Sequence, residues 1–358
     1  MLWKALQIAT VTLVLLASGA AASKEKKQSV TPEPTPPEMQ LLGGRKLVYE
    51  RSFHSAREVQ PKRGFWKKVL DFVAGEPTFH ILVRPYSIVT DSRGRIIVTD
   101  PGAYGVHIFD FRQQKYKFLF RADKNKDPML TPQCVAVDAQ DNIYVTDSES
   151  GKIFVFNADG KFQRAIGSLK GGEGFFKRPT GIAVDSGAQR IYVTDTLRNK
   201  IYVMDMQGSV LQTIGSNGEG KGEFNYPTEL RLHGDNLAVV DAMNFRVQVL
   251  DRSGQFQYSI GQLGDQSGTM FRPKGIGFNS EGDLYVVDGL WGVIQVFDRE
   301  GELLYSFGSR GTGLGEFQLP AGLFIDSDDR IFVVDSFNRR VQVFHYYGLA
   351  KAAKGGSQ

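Results

Sequence analysis

The sequence predicts an all-β fold, a six-bladed β-propeller with four antiparallel strands in each blade. Six near-copies of a short apolar segment that ends in aspartate run along the chain, and successive aspartates are 46 to 48 residues apart. These aspartates are Asp100, Asp147, Asp195, Asp241, Asp288 and Asp335. A proline recurs with the same period, at Pro85, Pro132, Pro179, Pro227, Pro273 and Pro320. A repeat of this length indicates supersecondary units that bury their faces only against their neighbours.

The third unit shows the strands of one blade. Residues 180–185, 191–195, 201–205 and 210–214 are short runs rich in β-branched and other apolar residues, bounded by Gly, Asp and Asn. This composition is typical of strands joined by tight turns. Four strands in each of six units predict a propeller, an architecture that leaves only short sheet edges.

The N-terminal part of the chain is expected to close the ring. The sixth unit ends without a fourth strand, whereas residues 47–55 resemble the fourth-strand segment 303–309 of the fifth unit. We therefore expect the segment 46–55 to complete the last blade. Pairing both chain ends in one sheet hides edges that would otherwise promote aggregation.

The chain divides into four parts. Residues 1–22 have the positive start, apolar centre and small-residue cleavage site of a signal peptide, and an uncleaved N-terminal anchor is the alternative. Residues 23–45 are a proline-rich segment expected to be a disordered linker, residues 46–348 form the propeller, and residues 349–358 are a disordered tail. The predicted location is therefore the periplasm or cell envelope, or the inner membrane if the anchor is retained.

An insertion and the overall composition add further expectations. Residues 65–73 have apolar and charged positions at helical spacing, which indicates a helix that packs on the propeller or binds a membrane or partner. The net charge of +4 favours no nucleic-acid partner. The single cysteine, Cys134, forms no intrachain disulfide and is expected to be a small buried residue. We expect a monomeric ring.

Two units carry the pattern Asp-x-x-Asn-x-Arg-Val-x-Val, at residues 241–249 and 335–343, each preceded by a connector with three spaced glycines. The pattern resembles the NHL-repeat family of six-bladed propellers, including bacterial exported members, and the resemblance covers residues 46–347. It implies that the repeated aspartate and arginine hold a turn together. It does not specify an activity, because one fold hosts many functions.

One face of the ring is predicted to bind a partner. In a propeller of this connectivity, the loops between the second and third strands share a face with the connectors between blades. This face is expected to carry the aromatic residues Tyr104, Phe245, Trp291 and Phe337. Exposed aromatic residues favour a protein, peptide or glycan partner, and packing between the blades is the alternative role.

The residue before the repeated proline is arginine in alternate units, at Arg84, Arg178 and Arg272. Three guanidinium groups around one face, with Arg198 and Lys274 nearby, suit a carboxylate, a phosphate or an acidic peptide. A structural role in the repeat is the alternative.

The fourth unit has Glu229 and Arg231 where the third has Gly181 and Ala183. Residues two apart lie on the same strand face, so these side chains are expected to form an ion pair near the central channel. A ligand site that combines Glu229 with Lys274 is the alternative.

We interpret the chain as an exported binding or scaffold module that uses one face of the ring, without a cofactor. The rival hypothesis is a metal-dependent lyase or a lactonase-like hydrolase with a divalent cation in the channel. Amidating lyases built on NHL repeats bind zinc through histidines, but the five histidines here show no spacing that predicts convergent ligands. No metal ligands are therefore assigned.

Overall fold

The computed structural model describes residues 37–59, 80–123, 126–169 and 173–349. They belong to one compact unit, Pro36–Gln358. The predicted signal peptide 1–22, the predicted helix 65–73 and the tail from residue 350 onward lie outside the described residues.

Six antiparallel sheets form the blades, which confirms the predicted fold class. Blade 1 contains Ile88–Thr90, Ile96–Asp100, Gly105–Asp110 and Lys115–Leu119. Blade 2 contains Pro132–Val137, Ile143–Asp147, Lys152–Phe156 and Phe162–Ile166, and blade 3 contains Pro179–Asp185, Arg190–Asp195, Lys200–Asp205 and Val210–Ile214. Blade 4 contains Pro227–His233, Asn236–Asp241, Arg246–Asp251 and Phe256–Ile260, and blade 5 contains Pro273–Phe278, Leu284–Asp288, Val293–Phe297 and Leu303–Phe307. Blade 6 contains Leu323–Ile325, Arg330–Asp335, Arg340–Tyr347, Lys46–Phe53 and Glu38–Gln40.

The first strand of each blade lies innermost. First strands contact the first strands of the neighbouring blades, and the circle closes between Leu323–Ile325 and Ile88–Thr90. Apolar clusters fill the interfaces between consecutive blades, as Ile201 of blade 3 and Leu230 of blade 4 illustrate. Burial of these faces provides the main driving force for ring assembly.

The N-terminal strand completes the last blade, as expected. Lys46–Phe53 runs antiparallel to Arg340–Tyr347, with a bulge between Tyr49 and Arg51. Glu38–Gln40 then pairs with Lys46–Phe53 as a fifth strand. The predicted linker 23–45 is therefore wrong over this short stretch, because the outer edge of Lys46–Phe53 offers free backbone hydrogen bonds to the preceding chain.

Short elements complete the described structure. One-turn 3-10 helices are Leu42–Gly44, Ala56–Glu58, Thr196–Arg198 and Ala242–Asn244, and short strand pairs join Arg121–Asp123 to Lys126–Pro128 and Ser309–Arg310 to Glu316–Phe317. Within the described ranges, no helix has the length and apolar character needed to cross a membrane.

Candidate functional site

The repeated aspartates position the start of each innermost strand. All six are fully buried at the end of a second strand. Asp100 accepts hydrogen bonds from the backbone N–H groups of Val83 and Arg84, at 2.6 and 2.9 Å. Asp195 accepts them from Lys177 and Arg178, both at 2.9 Å. These bonds confirm the structural role expected for the aspartates and fix the backbone just before the repeated proline.

The complete motif adds side-chain bonds to the same carboxylate. In blade 4, Arg246 and Asn244 donate to Asp241 at 2.9 and 2.8 Å. In blade 6, Arg340 and Asn338 make the equivalent bonds to Asp335. The motif arginines are therefore bonded to a carboxylate, in contrast to the arginines that precede the prolines.

One cavity of about 720 Å³ lies where the innermost strands of several blades begin. Its lining includes Arg84, Arg178, Arg272 and Lys274. We call this cavity the channel mouth. All three arginine side chains are exposed, and Lys274 is half-buried. Within the part of the chain that the structure describes, none of the four is in an ion pair with a carboxylate. Four unpaired cations around one cavity produce a positive potential that attracts anions.

The neighbouring charges alter the titration of the lysine. Burial, followed by repulsion from Arg272, Arg178 and Arg84, lowers the pKa of Lys274 from 10.5 to about 8. Its Nζ atom lies 5.7 Å from the ring centroid of Tyr86. Burial raises the pKa of the Tyr86 hydroxyl, with further contributions from Cys134 and Glu229. Tyr86 therefore stays protonated, whereas Lys274 titrates near pH 8.

An apolar wall flanks the cations. It consists of Tyr104, Tyr226, Met243, Phe245 and Phe271. Four of these side chains are exposed, and Phe245 is half-buried with its ring centroid 6.1 Å from that of Phe271. The channel mouth thus combines positive charge with aromatic surface.

Three of these aromatic residues, Tyr104, Tyr226 and Phe245, have a left-handed backbone conformation that favours glycine. Tyr104 and Phe245 follow the repeated aspartate by four residues and have φ values of 56° and 55°. The equivalent residue is Gly151, Asn199 or Gly292 in blades 2, 3 and 5, and Arg339, with a φ value of 55°, in blade 6. A left-handed conformation costs a bulky residue roughly 1–2 kcal/mol relative to glycine. Tyr104 and Phe245 bear this strain where their side chains line the channel mouth.

Other residues predicted for the binding face lie elsewhere. The Arg198 guanidinium contacts Asp195 at 3.2 Å and donates to the carbonyl of Phe175, so it stabilises blade 3 and does not line the channel mouth. Trp291 is partly exposed but also lies outside the cavity lining. Phe337 is exposed beside a smaller cavity of about 80 Å³ that Arg84, Arg272 and Lys274 also line.

Glu229 and Arg231 form the expected ion pair. Arg231 Nη1 lies 2.8 Å from Glu229 Oε1, and Arg231 Nη2 donates to the carbonyl of Leu323 in blade 6. The Cys134 thiol lies 3.4 Å from the other carboxylate oxygen, and burial raises its pKa well above the ordinary value. Glu229 does not line the channel mouth, so the structure does not join it to Lys274 in one ligand site.

A family model described as "6-bladed beta-propeller" matches residues 128–189, 184–260 and 269–352. The chain belongs to this six-bladed β-propeller family. No curated protein matches the sequence.

Solved structures share the fold at low sequence identity. A streptogramin B lyase is 15% identical with a TM-score of 0.54, over 74% of this chain and 93% of that one. An auxiliary nutrient binding protein from Bacteroides thetaiotaomicron is 13% identical with a TM-score of 0.58, over 76% and 71%. A catalytically inactive variant of virginiamycin B lyase from Staphylococcus aureus, solved with quinupristin, is 16% identical with a TM-score of 0.54, over 75% and 85%. These similarities establish the fold alone.

Sequence reasoning missed several residues of the channel mouth in this propeller. Tyr86, Tyr226 and Phe271 all lie within two residues of a repeated proline. The residues on both sides of that proline line the cavity in several blades, so reading those columns across all six repeats would have found them. The sequence prediction used only the arginines and Lys274 from these columns.

The described residues contain no group of three or more His, Cys, Asp or Glu side chains that could hold a metal ion. Those that line the channel mouth include no histidine, and Glu149 is the one carboxylate among them. This donor set suits an anion better than a divalent cation.

Proposed function

We propose that this propeller is a binding module that captures an acidic partner at the channel mouth. The observation that carries the proposal is the presence of Arg84, Arg178, Arg272 and Lys274, without ion-pair partners among the described residues, around one cavity with an aromatic wall. Arginine binds carboxylate and phosphate groups in a bidentate manner. The aromatic wall provides contact area for apolar or ring-bearing groups beside the charge.

The partner that fits this chemistry is an acidic peptide or protein segment, or an acidic glycan. Its negative groups would contact the arginines and its apolar groups would contact Tyr104 and Phe245. The apparent signal peptide supports a role in the periplasm or cell envelope, with an inner-membrane anchor as the alternative. The resemblance to exported NHL-repeat proteins supports the same assignment.

The enzymatic hypothesis has weaker support in the site. Two of these structural neighbours are lyases, and the inactive one carries a histidine-to-alanine substitution. Among the described histidines of this chain, none lines the channel mouth. A binding role therefore agrees better with the residues present.

The proposal is tested by binding of poly-L-glutamate and polygalacturonate, with uncharged dextran as the reference, measured by calorimetry. Replacing Arg84, Arg178 and Arg272 together with glutamine should weaken binding on the order of 100-fold or more, because each charge-assisted hydrogen bond contributes about 1.5–3 kcal/mol. The matched control replaces the exposed Lys115, Lys161 and Lys221 with glutamine, which gives the same change in net charge.

A second pair of variants tests the aromatic wall. Phe245→Ala should weaken binding of an acidic peptide that carries aromatic residues, whereas Trp291→Ala should not, because Trp291 lies outside the cavity.

Equal losses of binding affinity in the arginine and lysine triple variants would show that binding depends on net charge alone and would refute the proposed site.

A further inference from the structure

We propose that Lys274 forms a reversible imine with a 2-oxo carboxylate, a small anion whose carbonyl carbon is next to its carboxylate. The inference rests on the proposed function, since the arginines of the channel mouth would hold the carboxylate. It adds a covalent step that anion binding alone does not require.

The first argument is the position of the amine. Lys274 directly follows the repeated proline at the start of the innermost strand of blade 5 and lines the channel mouth. Its stem lies so close to Gly289 that a side chain at that glycine would meet the Lys274 Cγ atom at 3.2 Å. No carboxylate in the described structure pairs with the amine. A half-buried, unpaired lysine in an open cavity is available as a nucleophile.

The second argument is the charge around the amine. Arg272 just before the same strand, Arg178 from blade 3 and Arg84 from blade 1 all repel the ammonium form. Other titratable groups near it include the buried Cys134 thiol and the Tyr86 phenol, and Glu149, Tyr104 and Tyr226 also line the cavity. Lysines that cationic neighbours and desolvation keep partly neutral are those that form Schiff bases.

These groups also explain why the carbonyl compound should be an anion. A neutral aldehyde or ketone would gain nothing from the arginines, whereas a 2-oxo acid could place its carboxylate on them and its carbonyl carbon near the amine. Proximity of this kind converts a slow bimolecular reaction into an intramolecular one.

The step balances without an added oxidant or reductant. The neutral amine nitrogen attacks the carbonyl carbon, and one of its two protons passes to the carbonyl oxygen to give a neutral carbinolamine. Tyr86 lines the same cavity and stays protonated, so its hydroxyl can relay this proton by accepting one while it releases its own. The oxygen then leaves as water after gaining a second proton, and the protonated imine of Lys274 remains. Addition of water reverses the step.

The experiment treats the full chain with pyruvate and sodium cyanoborohydride near pH 7.5 and locates the reduced adduct by peptide mass spectrometry. At neutral pH, a lysine with a pKa of about 8 holds roughly 300-fold more neutral amine than one at 10.5. Because nucleophilicity falls as the pKa falls, we expect about tenfold or greater preference for Lys274 over exposed lysines such as Lys115 and Lys161. Acetone, which lacks the carboxylate, should label Lys274 less than pyruvate does, because the arginines cannot hold it next to the amine.

Two variants separate charge from reactivity. Lys274→Arg keeps the positive charge but removes the nucleophilic amine, so it should lose the adduct. Arg84→Gln with Arg178→Gln should reduce both binding and adduct formation. Both variants are checked for an unchanged melting temperature, and Lys274→Ala is available if arginine does not fit, because blade 6 has Ala321 at the equivalent position.

The outcomes are distinct. A pyruvate adduct concentrated on Lys274 supports the inference. Pyruvate binding without an adduct at Lys274, or labelling spread evenly over exposed lysines, overturns the inference and leaves the proposed function standing. Absence of both the adduct and binding of any of the acidic probes would overturn the two together.

Discussion

The N-terminal strand should stabilise the whole ring and not only its own edge. Phe53, at the end of that strand, is buried in an apolar cluster that joins blade 6 to blade 1. Its ring centroid lies 5.0 Å from that of Phe109 and 5.2 Å from that of Phe111. Replacing Phe53 with alanine therefore opens a cavity at the interface where the circle closes.

The size of the effect follows from burial. Replacement of a fully buried phenylalanine by alanine typically costs about 3–5 kcal/mol of the free energy of unfolding. The entropy of unfolding is about 2.1 cal/mol/K per residue, so a propeller of about 300 residues loses ~6 °C in melting temperature for a loss of ~4 kcal/mol. The measurement is thermal unfolding followed by circular dichroism, with urea unfolding as a second probe.

Phe337→Ala is the matched control for Phe53→Ala. The side chain of Phe337 is 55% exposed, so its removal should change stability by less than about 0.5 kcal/mol. Hydrogen exchange of Arg340–Tyr347 distinguishes local fraying from global loss. Fast exchange in that strand with an unchanged melting temperature would refute the view that closure stabilises the entire ring.

Two further predictions concern buried polar groups. Glu229→Ala should lower the free energy of unfolding by about 3–5 kcal/mol, because it leaves the Arg231 guanidinium unpaired. Adding Arg231→Ala should restore much of that loss. A double-mutant cycle measured by urea unfolding that shows no restoration would contradict this prediction. Burial lowers the pKa of His107, although the carboxylate of Asp100 lies 3.4 Å away. The unfolded chain therefore binds the proton more readily than the folded chain. The free energy of unfolding should then fall as the pH drops through about 6.5, the ordinary pKa of histidine. The test is His107→Gln, because blade 4 has Gln248 at the equivalent position. The melting temperature of this variant should depend less on pH between about pH 7 and 5. An unchanged dependence of the melting temperature on pH would exclude His107 as the source of the acid sensitivity.

The repeat made the fold readable from the sequence. For blade 3 the predicted strands 180–185 and 191–195 correspond to Pro179–Asp185 and Arg190–Asp195 in the structure. Each strand is short and bounded by turn residues, and six in-phase copies reinforce one another. Glu38–Gln40 could not be read in this way, because its pairing depends on an available sheet edge and not on an apolar pattern of its own.

The candidate site was only partly readable. Arg84, Arg178 and Arg272 share one position in the repeat, so a closed ring necessarily brings them around the same axis. The aromatic residues depend on loop conformation, which the repeat does not specify. Tyr104 and Tyr226 line the channel mouth, whereas Trp291, one residue before the position equivalent to Tyr104, does not.

The closing strand also has a consequence for how the molecule folds. Lys46 pairs with Tyr347 and Phe53 with Val341, so the last blade joins segments about 300 residues apart in the chain. Such distant contacts slow folding, because the loop must close before the contacts can stabilise it. During synthesis, the first strand to emerge would wait for the last one before blade 6 could form. An incomplete chain would lack Arg340–Tyr347 and leave Lys46–Phe53 without its main partner strand, so the ring would reach its final stability only after the whole propeller had been made.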